Sequence, residues 1–140
     1  MIVEHGTLIV AADGGGAVIY RNTAKDGAPK LEIVETHDAK HESSGTAGGK
    51  TALAGHDYHE QGERQFAGRL ATRLDELVGG RQHGKDQAGI VLFASPRFLG
   101  VIRSDYSARL KTALKAEVGK DLRAAAVKQI EQTLSSLNEG

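Results

Sequence analysis

AGIVLFASPRFLGVIR, residues Ala88–Arg103, is the stretch whose reading decides the fold. Ile90-Val91-Leu92-Phe93-Ala94 is too short for a self-sufficient helix and shows no polar alternation, so it reads as a strand covered on both faces. Ser95-Pro96 follows at once. A serine hydroxyl can cap a helix N-terminus, and proline suits the first helical position, where its missing N–H has no partner to lose. Phe98, Leu99, Ile102 and Tyr106 then recur at helical spacing, which predicts a helix over 95–106 with Phe98 packed on the sheet. A buried strand feeding a capped amphipathic helix is the basic step of an α/β domain. It also opens a crevice at the strand's carboxyl end, where such domains bind ligands.

Upstream, Thr7–Ala12 is apolar and β-branched, a strand. Asp13-Gly14 signals a hairpin through its tolerance of positive φ, with Gly15 and Gly16 keeping the turn permissive, and Ala17–Arg21 is the return strand. Residues 30–36 alternate as a third strand with Leu31 and Ile33 on one face. Residues 37–61 have no apolar periodicity and read as a long flexible loop of about 25 residues, unusual inside a compact domain. Gly62–Val78 is a helix striped by Phe66, Leu70, Leu74 and Leu77. Downstream, Leu114–Val118 alternates as a strand that Gly119 ends. Asp121 can cap a last helix striped by Leu122, Ala126, Ile130, Leu134 and Leu137. The order β-β-β-α-β-α-β-α implies one α/β domain over residues 1–140. It has the ribonuclease H-like arrangement: a mixed five-stranded sheet, its first three strands an antiparallel meander, with right-handed crossovers setting helices on both faces.

The chain has 140 residues, 39% of them hydrophobic, enough for a real core. Eighteen basic residues balance eighteen acidic ones, so no overall field draws it to DNA or to a membrane surface. Cysteine is absent, which excludes disulfides and thiolate metal sites. No apolar run approaches the about 20 residues that span a bilayer. Met1-Ile2-Val3-Glu4-His5 lacks the charged head and apolar core of a signal peptide, so the expected location is the cytoplasm.

Three segments are familiar in combination: VAADGGGAVIYR (Val10–Arg21), ERQFAGRLATRLDEL (Glu63–Leu77) and LFASPRFLGVIR (Leu92–Arg103), followed by EVGKDL (Glu117–Leu122). Their order and spacing resemble the bacterial host attachment family, the "protein required for attachment to host cells". That family is similar in turn to the middle domain of the archaeal and eukaryotic release factors and Pelota, so the resemblance implies a ribonuclease H-like fold and favours a strand at Leu114–Val118. Release factors carry a Gly-Gly-Gln tip in the loop before the first long helix. Here that loop holds Gly48-Gly49-Lys50. Lysine is charged and cannot accept a hydrogen bond as glutamine does, so peptidyl-tRNA hydrolysis is not implied.

The chemistry-bearing residues are each weighed against a plainer role. Gly45–Thr51 hints at a phosphate loop, but the motif needs glycine at position 44, where Ser44 stands, and the segment reads as a flexible loop. His37, His41, His56 and His59 could bind zinc or nickel, yet the segment offers no rigid scaffold to fix their geometry. Asp13 lies where ribonuclease H-like nucleases hold a metal-binding aspartate, but Ala94 and Ser95 supply no second carboxylate, and Asp13 reads as a turn former. Arg97 and Arg103, on the helix at the carboxyl end of the central strand, could engage a partner's phosphate or carboxylate. Arg64, Arg69 and Arg73 could form a local basic patch with Lys50. The sequence therefore predicts a non-enzymatic interaction protein of the host attachment family, without cofactor or bound metal. Its partner is a protein of unknown identity, reached through Gly48, Gly49, Lys50, Asp13, Arg97 or Arg103. The alternative is a ribosome- or tRNA-associated factor with a degenerate tip.

Overall fold

The computed structural model describes residues 4–39, 55–79 and 89–139, with side chains described for all of these but 55–61, 138 and 139. Five strands form one sheet: β1 (Leu8–Asp13), β2 (Gly16–Asn22), β3 (Leu31–Asp38), β4 (Ile90–Ala94) and β5 (Leu114–Val118). Their order is β3-β2-β1-β4-β5. β1–β2 and β2–β3 pair antiparallel, and β1–β4 and β4–β5 pair parallel. This is the ribonuclease H-like arrangement expected from the sequence. β4 is buried at every residue, because layers cover both faces of the sheet.

The helices are α1 (Gly55–Val78), α2 (Pro96–Ile102), α3 (Ala108–Ala113) and α4 (Val127–Glu139). Phe66, Leu70 and Leu74 of α1, Phe98 and Ile102 of α2, and Leu110 of α3 pack on Val10, Ile19 and Leu92. On the other face Ile130 and Leu134 of α4, with Leu122, pack on Ile9, Tyr20, Val91 and Phe93. Phe98 is fully buried, its ring centroid 6.0 Å from that of Phe66. Ser95 Oγ accepts from Phe98 N at 3.2 Å, with Pro96 in the first turn. Among the described residues no helix is long and apolar enough to cross a membrane.

Several boundaries differ from the sequence reading. The segment expected as a loop over 37–61 is shorter: His37 and Asp38 complete β3, and residues 55–61 belong to α1. Those seven residues, GHDYHEQ, lack large aliphatic side chains, so their helicity left no apolar period to read. The helix expected over 95–106 stops at Ile102, and a 3₁₀ turn, Arg103–Asp105, follows. A further short helix, α3, then forms because Ser107 accepts from Leu110 N at 3.0 Å and Leu110 is buried. α4 begins at Val127 rather than at Asp121. The preceding turn is pinned at two points, Leu122 in the core and Arg123 on Asp13.

Leu31 and Ile33 share a face as expected, but Ile33 is 60% exposed at the sheet edge. The register shifts there, between Ile19 and Tyr20, so that Val34 is bulged out of the pairing. The β1–β2 hairpin forms with Gly14-Gly15 at its tip, yet neither has positive φ, which among the described glycines occurs at Gly6, Gly27 and Gly89. The glycines serve close approach instead. A Cβ on Gly16 would lie 2.2 Å from Arg123 Nη1 and 2.5 Å from the His37 carbonyl oxygen.

Three substitutions follow from this packing. Phe98→Ala removes a fully buried ring and is expected to destabilise by about 3–5 kcal/mol, read as a shift of the urea midpoint. Gly16→Ala is expected to cost about 1–3 kcal/mol, because a backbone oxygen must move. Gly100→Ala, in the α2 interior with nothing within 4 Å of the new Cβ, should instead stabilise by roughly 0.5–1 kcal/mol.

Candidate functional site

The carboxyl ends of β1 and β4 lie side by side, Ala12 against Ala94. There the chain departs in two directions, into the Gly14-Gly15 turn after β1 and into α2 after β4. This parting of neighbouring strands is where α/β sheets open a binding crevice.

Four charged side chains meet at this end. Asp13 Oδ1 accepts from Gly15 N at 2.8 Å and lies 3.1 Å from Arg123 Nε. Glu63, in the N-terminal half of α1, has Oε1 3.1 Å from Arg97 Nη2. Its carboxylate rests against the hairpin, where a Cβ on Gly14 would come within 2.3 Å of Oε2. The Glu63 side chain is 15% exposed and that of Arg97 is 70% exposed. Each carboxylate is thus neutralised by one guanidinium, and Arg97 presents most of its own surface to solvent. Asp13 is the turn former the sequence suggested, and it also anchors the turn before α4.

Arg103 does not join this group. Its Nε and Nη2 donate to Glu117 Oε1 at 3.0 and 2.9 Å, and the Tyr106 hydroxyl donates to Glu117 Oε2 at 2.6 Å. Burial alone would raise the Glu117 carboxyl, but the hydrogen bonds from Tyr106 and Arg103 outweigh it and hold it below the usual range. Burial pushes the Tyr106 hydroxyl up, and Glu117 adds to that. The arrangement latches the turn after α2 onto β5.

Of the four histidines at positions 37, 41, 56 and 59, His37 has a described side chain. His37 is in β3, Nε2 2.9 Å from Glu35 Oε1. His56 and His59 are in the first turns of α1, and His41 lies outside the described residues. Among the described residues no group of three or more His, Cys, Asp or Glu side chains could hold a metal ion. Gly48, Gly49 and Lys50 also lie outside the described residues. Arg64, Arg69 and Arg73 do line one shallow groove along α1, with Gly68, Glu76 and Asp105. Arg73 is committed there: its Nε donates to both Glu35 oxygens at 3.0 Å and its Nη1 to Glu76. The hydrogen bond from Arg73 holds the Glu35 carboxyl below its ordinary value.

Sequence reasoning missed Glu63 and Arg123 as members of this group. Glu63 reads as one more charge on a wet helix face, and Arg123 as part of a terminal helix. The available signal was the run Gly14-Gly15-Gly16, which marks a strand end that large side chains approach closely.

The profile of the family described as "Protein required for attachment to host cells" matches residues 8–134. No curated protein sequence matches the chain. Among solved structures, the chain is similar to an archaeal translation termination factor, at 13% identity and a TM-score of 0.52. That match covers 95% of this chain and 39% of the factor, so the chain spans well under half the factor's length, and the likeness is one of fold. It is also similar to the ethanolamine utilization protein EutJ from Carboxydothermus hydrogenoformans. There identity is 13% and the TM-score 0.42, over 84% of this chain and 46% of that one.

A pH dependence follows from the latch behind the groove. Arg109 donates to both Asp75 oxygens, at 3.1 and 2.7 Å, and Ser107 donates to Oδ1 at 2.6 Å. Arg109 first, and Ser107 second, pull the Asp75 carboxyl from its ordinary 3.8 down to about 2. A carboxylate with a depressed folded-state pKa stabilises above its unfolded value and loses that contribution on acidification. Wild type should therefore melt above Asp75→Asn at neutral pH, and the gap should close as the pH falls from about 4 to about 2. A gap constant across that window in thermal melts would remove the latch from the stability account.

Proposed function

The chain belongs to the family of proteins required for attachment to host cells, matched over residues 8–134, and from that footing we propose that it serves attachment as a binding protein rather than as an enzyme. The observation that carries this reading is the charge pairing at the carboxyl ends of β1 and β4. General acid–base or metal-assisted chemistry needs a carboxylate able to meet substrate or metal. Asp13 and Glu63, the carboxylates at this crevice, are instead held by Arg123 and Arg97. Arg97, 70% exposed beside a carboxylate that fixes its orientation, is suited to receive a partner's carboxylate or phosphate through its remaining donors.

A second reading is a ribosome- or tRNA-associated factor. The likeness in fold to a translation termination factor over 95% of this chain favours it. In that reading Gly48-Gly49-Lys50 is a tip that contacts the ribosome without hydrolysing peptidyl-tRNA, since lysine cannot accept the hydrogen bond that places water.

Purification of the tagged protein from its own cells, with ribosome content scored, separates the two. The binding-protein reading expects a protein partner retained by wild type and lost from Arg97→Glu, with no ribosome enrichment and an unchanged thermal midpoint. Ribosome co-sedimentation that deletion of Thr46–Lys50 abolishes would replace it with the second reading. Hydrolysis of peptidyl-tRNA by the wild-type protein would overturn both.

A further inference from the structure

The two edges of the sheet, β3 and β5, carry opposite charge. β3 contains Glu32, Glu35 and Asp38 and no lysine or arginine. It also holds the exposed large apolar side chains of the described residues, Ile33 at 60% and Val34 at 38%. The other edge reverses the sign. α3 and β5 together bring Arg109, Lys111 and Lys115 against one carboxylate, Glu117, which Arg103 and Tyr106 already engage. Arg103, Lys111 and Lys115, all exposed, line a single hollow along β5 with Tyr106 and Leu114.

The two edges also match face by face. On the α4 side of the sheet, β5 presents Ala116 and Val118. β3 presents Leu31 on that side, and Ile33, which pairs with the buried Tyr20. On the α1 side, Tyr106 and Leu114 border the core beside the cations of β5. β3 presents Glu35 there, held by Arg73 of α1, and Glu32, which alternates with Ile33. Strand direction agrees as well. β3 is antiparallel to β2, which is antiparallel to β1, while β5 and β4 run parallel to β1. β3 and β5 therefore point the same way.

We propose that copies of this chain join edge to edge, β5 of one beside β3 of the next as parallel strands, continuing one sheet from copy to copy. Sideways displacement of a second copy keeps each face on its own side. In the register the pairings give, it sets Ile33 level with Ala116, Glu32 level with Leu114 and next to Lys115, and Glu35, already held by Arg73, level with Glu117, already held by Arg103. The symmetric alternatives are disfavoured by the same residues, since β3 on β3 opposes carboxylates and β5 on β5 opposes ammonium groups. The Leu31 N–H is taken by Glu131 Oε2 at 2.9 Å, so the joint begins beyond it. An interface between unlike surfaces of one chain does not close by two-fold symmetry, so the assembly grows with concentration. Its charge matching makes it weaken with salt.

Charge reversal at each edge tests this. Light scattering of wild type at low salt is expected to show a mass that rises with concentration and falls on adding salt. Glu32→Lys/Ile33→Lys disables the β3 edge and Lys111→Glu/Lys115→Glu the β5 edge, and each variant alone should be monomeric. Mixed, each variant supplies the edge the other lacks and the two reversed edges also match in sign, so the mixture should regain the association that each variant alone has lost. Wild type that stays monomeric throughout, or a mixture that does not associate, overturns the proposal. So does either variant that still self-associates. A crosslink reads the same geometry should a reversal variant unfold. The chain has no cysteine, and positions 33 and 116 of one copy are four strand steps apart, about 19 Å, too far to bridge. Ile33→Cys/Ala116→Cys should give a ladder of disulfide-linked species under oxidation, and a monomer band alone would refute the joint.

Discussion

Ala12 lies beside Ala94 in the middle of the sheet, both fully buried, and with them Ala11 beside Phe93 and Val10 beside Leu92. This parallel pairing of β1 with β4 is the constraint from which the rest follows. A parallel pair cannot be joined by a tight turn, so the chain must leave the sheet, cross a face and return. α1 is that crossing, and its stripe of Phe66, Leu70 and Leu74 covers the face it crosses. α2 and α3 then repeat the step from β4 to β5 on the same face. Only α4 remains to cover the other side, and its Ile130 and Leu134 do so. The pairing also fixes where a site can be, because both strands end at the same rim while β2 turns back from it.

The strongest sequence signals were those in which burial imposes a pattern. The unbroken apolar run of β4, the Ser95-Pro96 start of α2 and the stripe of α1 each have one physical reading, and the structure follows them. The segments that escaped were those whose structure leaves no apolar period. Residues 55–61 are helical but polar. Leu110 is the one buried residue of α3, and a single apolar position defines no periodicity. Asp121 looked like a cap, yet Leu122 entering the core and Arg123 reaching Asp13 hold that segment as a turn. At the crevice, Asp13 and Arg97 could be picked out because they flank the strand ends in sequence. Glu63 and Arg123 could not, since they arrive from elements distant along the chain, and only the three glycines at positions 14–16 advertised that something must come near.

The charged residues divide by type. Arg73 ties α1 to β3, Arg109 ties α3 to α1, Arg103 ties the turn after α2 to β5, Arg97 ties α2 to α1, and Arg123 ties the turn before α4 to β1. Each pair is at least partly open to water, so its contribution to stability is small. What it supplies is orientation. A guanidinium offers several donors in a fixed plane, and Arg73, Arg103 and Arg109 each use more than one of them on a single carboxylate. Lys111 and Lys115 instead stand exposed along the β5 edge, where a compact, strongly hydrated charge gives that edge its sign. Net neutrality thus conceals two populations, arginines that fix element to element and lysines that give the surface its sign.

The same division shows at the rim where β1 and β4 end, on a fold similar to that of a translation termination factor. Topology sets the rim, because β1 and β4 end side by side and the chain leaves them in different directions. What the crevice does is decided by the side chains that reach it. Here two arginines reach it together with two acids, and the acids are spent on holding the arginines in place. Asp13 fixes Arg123 so that the turn before α4 is set, and Glu63 fixes Arg97 so that a cation faces outward at the mouth. The carboxylates at this rim are thus paired, and the charge it turns to solvent is that of Arg97, a guanidinium that stays protonated.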